Sequence, residues 1–199
     1  MKHIYEKGQS DTTLLLLHGT GGNEYDLLPI AKHIDPNANL LSVRGNVLEY
    51  GMPRFFKRLA MGVFDEESLA EETENLFNFI DEAAAKYQFN RQLVNVIGYS
   101  NGANIAANIM LHYHQPFQHV ILMHPMVPKR GTESTDLSLV KVFITAGKQD
   151  QMVSVEETEE LKAMLLQRQA EVSVFYSEHG HQLTKEELES AKKWYDEKR

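Results

Sequence analysis

The residue with the most chemistry open to it is Ser100, set in Gly98-Tyr99-Ser100-Asn101-Gly102 between an apolar run, Leu93–Ile97, and a helical stretch, Ala103–Leu111. A serine on a strand-to-helix turn projects its hydroxyl at a helix N-terminus, where developing negative charge is favoured. Glycines on either side let neighbouring backbone pass where a Cβ would clash. Such a serine can act as a nucleophile. The same five residues also suit a serine N-cap between two turn glycines, so the motif needs partners elsewhere in the chain.

The first partner is a pair of donors for an oxyanion. His18-Gly19-Thr20-Gly21-Gly22-Asn23 follows the first strong apolar run, Thr12–Leu17. Glu24 stands where a dinucleotide-binding turn needs its third glycine, and no Gly-Lys-Ser/Thr occurs, so neither a dinucleotide nor a P-loop phosphate is indicated. A glycine-rich turn in this place can offer one backbone N–H to an oxyanion, and the residue after the serine offers the second. Those roles fall to Thr20 and Asn101. His18 is expected to brace the loop by hydrogen bonding. The competing reading is a turn leading into a helix over Glu24–His33.

The serine also needs a base, and the base an orienting acid. Asp150 comes directly after the run Val142–Ala146, in Gly147-Lys148-Gln149-Asp150, at the kind of strand end where sites in open α/β sheets gather. Its competitor Asp136 sits in a loop with Pro and Gly, where a turn or cap role fits better. For the base, His181 and His179 flank Gly180 after the last apolar run. His181 is preferred because the loop must carry its ring back over Ser100. His112, His114 and His119 read as surface or cap residues.

Six apolar runs must position these groups: Thr12–Leu17, Asn39–Val43, Leu93–Ile97, Val120–Met123, Val142–Thr145 and the more alternating Glu171–Tyr176. Continuous apolarity implies strands covered on both faces, as in a parallel sheet. Between them, Asp65–Tyr87 and Val155–Gln169 carry apolar residues at three- and four-residue spacing, and Thr184 with Glu187 makes a capping-box signal for a last helix through Trp194. This alternation predicts a mostly parallel, doubly wound α/β sheet with helices on both faces, in one domain over residues 1–199. Arg44–Phe64 and His124–Ser138 read as long loops with no room for a lid domain. Gly21, Met52, Phe55, Phe56, Met126 and Val127 are the candidates for pocket walls. For Phe55 and Phe56, closing the core is an equal alternative.

The formal net charge of −8 over 199 residues argues against nucleic acid or an anionic membrane as the main partner. With no cysteine there is no thiol nucleophile, thiolate metal site or disulfide. No signal-peptide core and no span of roughly 18 apolar residues is present, so a cytoplasmic protein is expected. His179-Gly-His181 lacks the further ligands a catalytic metal would need, and no cofactor is implied. A homodimer is compatible with the sequence.

Taken together, His18-Gly-Thr-Gly-Gly, Arg44-Gly-Asn, Met52-Pro-Arg-Phe-Phe, Gly98-Tyr-Ser-Asn-Gly-Ala-Asn, Gly147-Lys-Gln-Asp and Gly180-His181 resemble the phospholipase/carboxylesterase family of small, lid-less α/β hydrolases, nearly end to end. The resemblance implies a Ser100–Asp150–His181 triad and hydrolysis of carboxylic esters or thioesters in a small-molecule substrate. It is nearest to the bacterial carboxylesterase branch, some of whose members are linked to quinone stress. Many relatives carry Gln where this chain has Asn101, which keeps the N–H donor but separates it from the family's better-known substrates. The expected activity is a carboxylesterase for short-chain or aryl esters. The alternatives are an acyl thioesterase or lysophospholipase, a dienelactone-type hydrolase, or a non-catalytic binding protein on the same fold.

Overall fold

A computed structural model describes residues 1–199. Strand β1 (His3–Glu6) leads into β2 (Thr13–Leu17), helix α1 (Leu28–Ile34) and β3 (Asn39–Val43). Four short strands follow, β4 (Val47–Glu49), β5 (Met52–Arg54), β6 (Arg58–Ala60) and β7 (Val63–Phe64). The rest of the chain alternates: α2 (Glu66–Tyr87), β8 (Val94–Tyr99), α3 (Asn101–His112), β9 (His119–Met123), β10 (Lys141–Gly147), α4 (Val155–Leu166), β11 (Glu171–Ser177) and α5 (Lys185–Lys198).

Seven strands form one sheet in the order β1-β3-β2-β8-β9-β10-β11. Only the β1–β3 pair is antiparallel; every other neighbour runs parallel. The apolar runs explain this. All five residues of β2 and all five of β3 are buried, which requires cover on both faces. Alternate side chains then feed two cores: Leu15 and Leu17 join the larger with α2, α3 and α4, while Leu14 and Leu16 join the smaller with α1 and α5. Each fully buried leucine contributes roughly 1.5–3 kcal/mol. The edge strand β11 is only partly buried, matching its more alternating sequence.

The structure adds two features to the sequence reading and shifts one. His3–Glu6 is a strand, pairing with β3 at the sheet edge. Arg44–Phe64, read as a loop, contains two antiparallel hairpins, β4–β5 and β6–β7. Helix α1 begins at Leu28 rather than Glu24, with Pro29 in its first turn. Glu24 is instead buried and ion-paired with Arg44 and Lys2, so its carboxylate is spent on holding a loop. No separate lid covers the sheet, and no helix is long and apolar enough to cross a membrane.

The chain leaves β2 toward β3 on one side, and β8 lies on its other side. The carboxyl ends of β2 and β8 therefore flank a topological switch point, the crevice where open α/β sheets bind ligands. Both the His18–Gly22 turn and Ser100 open onto it.

Candidate active site

Ser100 has φ 51° and ψ −113° at the start of α3, and its side chain makes no capping hydrogen bond. A non-glycine residue in this region costs of order 1–3 kcal/mol, which the surroundings must hold in place. They do so through both backbone groups: the Ser100 N–H donates to the Met123 carbonyl at 2.9 Å, and its own carbonyl accepts from Asn104 N–H at 2.9 Å. The flanking glycines are sterically required. A Cβ on Gly98 would lie 2.8 Å from Ala103 Cα, and one on Gly102 would run into the Leu17 carbonyl. The hydroxyl is therefore free for a partner other than its own helix, unlike the serine of an ordinary N-cap.

That partner is His181. Its Nε2 lies 2.8 Å from Ser100 Oγ, and its Nδ1 lies 2.7 Å from Asp150 Oδ2. The other oxygen of Asp150 accepts from the N–H groups of Met152 at 2.8 Å and Val153 at 3.1 Å. Burial works to raise the Asp150 pKa, but the bonds from His181 and Met152 N–H outweigh it and hold it below the usual carboxylate range. Asp150 is thus a fixed anion behind the His181 ring. Tyr99, between Gly98 and Ser100, donates its hydroxyl to the His181 carbonyl at 2.9 Å and so props the loop that carries the ring. Burial raises the Tyr99 pKa, with the Asp150 and Glu187 charges adding to it, so the phenol stays protonated.

The competing residues sit elsewhere. Asp136 is exposed, and its Oδ1 accepts from Ser138 N–H at 2.9 Å in a turn. His179 is exposed and meets the acid's loop only through its carbonyl, which accepts from Gln149 N–H at 3.0 Å. Gly147 binds these two loops together, since a Cβ there would run into the carbonyls of His179 and Gly180. His114 accepts from Asp136 N–H, and His112 and His119 bond to backbone carbonyls, all away from Ser100.

On the other side of Ser100, the turn after β2 is built around His18. The Gly45 N–H donates to His18 Nε2 at 3.1 Å, so Nδ1 carries the proton and donates to the Gly19 carbonyl at 2.6 Å. Burial depresses the His18 pKa and favours this neutral form, which suits a brace. Gly21, at φ 80°, donates its N–H to the Pro53 carbonyl at 2.9 Å. Thr20 is exposed, and its hydroxyl accepts from the buried Arg54 guanidinium at 2.7 Å. The Thr20 N–H is not used by the backbone network. Asn101 is the first residue of α3, where N–H groups have no partner within the helix.

Of the pocket candidates, Met52 is exposed and its Sδ would lie 3.6 Å from a Cβ on Gly21, so it borders the turn after β2. Met126 is half-buried beside Gly62 of the second hairpin. Phe55 and Phe56 are fully buried in the larger core, and Val127 is buried there as well. Their rings and side chains close the core, the alternative left open for the two phenylalanines, because apolar bulk gains more from burial than from facing a wet cleft.

Two groups of residues were not anticipated. Asn101, Asn104 and Asn108 form a buried polar stripe along α3, one turn apart. Asn101 Oδ1 accepts from Phe55 N–H at 2.7 Å and Asn104 Oδ1 from Met126 N–H at 2.8 Å, so each fixes one loop beside Ser100; Asn108 ties α3 to Thr73 of α2. Three asparagines at helical spacing inside an otherwise apolar helix were the available signal. The second group is His124 with Glu187. Glu187 N–H donates to Thr184 Oγ1 at 3.2 Å as the capping box predicts, but its carboxylate turns inward to His124 and Thr145. A histidine directly after the apolar run Val120–Met123 was the sign available for it.

His124, Asp150 and His181 each present one ligand atom within 4.8 Å of the others, the kind of set that could hold a metal ion. Here Asp150 Oδ2 lies 2.7 and 3.1 Å from the two Nδ1 atoms, at direct hydrogen-bonding separation.

The chain matches the model of the family described as Phospholipase/Carboxylesterase over residues 2–197. It is 58% identical over 197 residues to MhqD of Bacillus subtilis (strain 168), named as a hydrolase, covering 99% of this chain and 98% of that one. A Bacillus cereus carboxylesterase superposes with a TM-score of 0.99 at 53% identity, over 100% of this chain and 95% of the other. YahD, whose structure holds malic acid, superposes with a TM-score of 0.95 at 36% identity, over 100% and 99%.

Proposed function

The chain belongs to the phospholipase/carboxylesterase family of hydrolases, and within it we propose a serine carboxylesterase, acting on short-chain or aryl esters, in which residues 1–199 work as one catalytic domain. The observation that carries this reading is the unbroken chain of short contacts from Ser100 Oγ through the His181 ring to Asp150. Neither a capped turn nor a non-catalytic binding site calls for a serine held in a strained backbone with its hydroxyl on a histidine that a buried carboxylate orients.

In the proposed mechanism the ester carbonyl carbon is attacked by Ser100 Oγ while His181 Nε2 takes the hydroxyl proton. The carbonyl oxygen becomes an oxyanion facing the N–H groups of Thr20 and Asn101, each worth roughly 3 kcal/mol to the transition state. His181 then returns the proton to the leaving alkoxide, and the alcohol departs from an acyl-Ser100 ester. A water activated by His181 attacks that ester and the carboxylic acid leaves. Asp150 keeps the proton on His181 Nδ1 and offsets the charge of the transient imidazolium. Arg54, behind Thr20, fixes the turn that supplies one donor.

The test is Ser100→Ala against a short-chain p-nitrophenyl ester, beside aryl esters, acyl thioesters and lysophospholipids on the unmodified protein. The variant should keep its melting temperature and lose at least ~10³-fold in kcat. A fluorophosphonate probe should label the unmodified chain and not the variant. Wild-type turnover in Ser100→Ala would overturn the reading; a preference for thioesters would move the activity to the thioesterase alternative.

A further inference from the structure

The hydrogen-bonded chain does not stop at Asp150. His124 closes β9 with φ 52°, and its ring lies between two carboxylates: Nδ1 is 3.1 Å from Asp150 Oδ2 and Nε2 is 2.8 Å from Glu187 Oε2. The side chains of His124, Asp150 and Glu187 are 0, 1 and 0% exposed, so no water competes for these contacts. Ionised carboxylates only accept, so both ring nitrogens must donate, and only the imidazolium can do that. Protonating Glu187 instead is disfavoured by its other donors: Thr145 Oγ1 lies 3.0 Å from Oε2 and Thr184 Oγ1 3.2 Å from Oε1. The titration directions agree with this assignment. Burial opposes the charge on His124, but the bonds and charges of Glu187 and Asp150 outweigh it and raise its pKa, while His124 correspondingly helps to depress that of Glu187.

We propose that His124 is a positioning residue: held as a buried imidazolium by Glu187, it sets the charge beside the Asp150–His181 pair and extends turnover toward acidic pH. The inference rests on the triad reading above. The rings of His124 and His181 are 5.2 Å apart, so a standing cation on the first disfavours a second on the other. The neutral ring is the form of His181 that can take the Ser100 proton. The charged and titratable groups facing His124 are Asp150 after β10, Glu187 from α5, His181 after β11 and the Tyr99 phenol from β8, set edge-on at 6.2 Å. Of these, Asp150 and Glu187 are the anions.

The experiment is the pH dependence of kcat/KM on a neutral ester for the unmodified protein, His124→Gln, Glu187→Gln and the double variant. Both single variants remove the same cation. Each should move the acidic limb about one unit to higher pH, and the double should move it no further than the singles. A merely structural role would lower the melting temperature and leave the limb in place, which overturns the proposal. Should the variants fail to fold, ring ¹⁵N shifts of the unmodified protein still decide: one of the nine histidines should carry protons on both ring nitrogens at a pH above the ordinary imidazole value, and nine neutral rings there would overturn the proposal. Asp150→Asn keeps the two failures apart. Wild-type turnover there removes the triad reading and this inference with it; a loss of roughly 10³–10⁴-fold beside an unmoved acidic limb removes this inference alone.

Discussion

The two sides of the cleft around Ser100 are built on opposite plans. On one side, the loops that follow β8, β10 and β11 hold Ser100, Asp150 and His181 in a continuous set of hydrogen bonds; the buried Asp150 carboxylate alone accepts four. On the other, the hairpins of Val47–Phe64 hold apolar side chains out in solvent: Tyr50 is 98% exposed, Leu59 73%, Leu48 and Met61 68% each. The first side costs strain at Ser100 and His124 and cannot move without losing the chemistry. Apart from Arg54, Phe55 and Phe56, the second buries little, and its exposed side chains can change without disturbing the sheet. On the proposed reading, reaction type and substrate preference belong to separate parts of the chain, joined where Asn101 Oδ1 accepts from Phe55 N–H.

Substitutions on the two sides should therefore differ in kind as well as size. Gly102→Ala should have the largest effect, since its methyl would press on the backbone of β2. A loss of more than ~3 kcal/mol of stability, read by thermal or urea denaturation, is expected. A stable, active Gly102→Ala would show the elbow to be softer than its geometry suggests. Asn104→Ala should come next, leaving the Met126 N–H without its acceptor and loosening one loop beside Ser100. A fall of about tenfold in kcat/KM with ~1–2 kcal/mol of destabilisation is expected from steady-state kinetics and melting. Leu59→Ser and Met61→Ser should do least to the fold, within about 0.5 kcal/mol. They should change KM for longer acyl chains a few-fold while kcat on a short ester holds. A large loss of kcat in these two would erase the division between the two sides.

What is legible in the sequence follows the same division. Ser100, Asp150 and His181 each come soon after an apolar run, and a continuous apolar run can be read from neighbouring residues alone. The parallel sheet, its helices and the cap at Thr184 are local signals of the same type. The hairpins of Val47–Phe64 were not legible, because their strands are two or three residues long and mix apolar with charged positions. Strand β1 has no apolar run; it forms because β3 offers it an unpaired edge. The His124–Glu187 contact spans 63 residues, and a glutamate already accounted for by a helix cap gives no sign that its carboxylate is used elsewhere.

The proposed base is carried by the loop that follows β11, an edge strand of the sheet and one of its least buried. Ser100 and His181 are 81 residues apart, and nothing joins them until that last strand has docked on β10. On the proposed reading, activity therefore requires β11 to be in place on the sheet. A copy with that strand frayed would keep Ser100 in its turn and lose the proposed base.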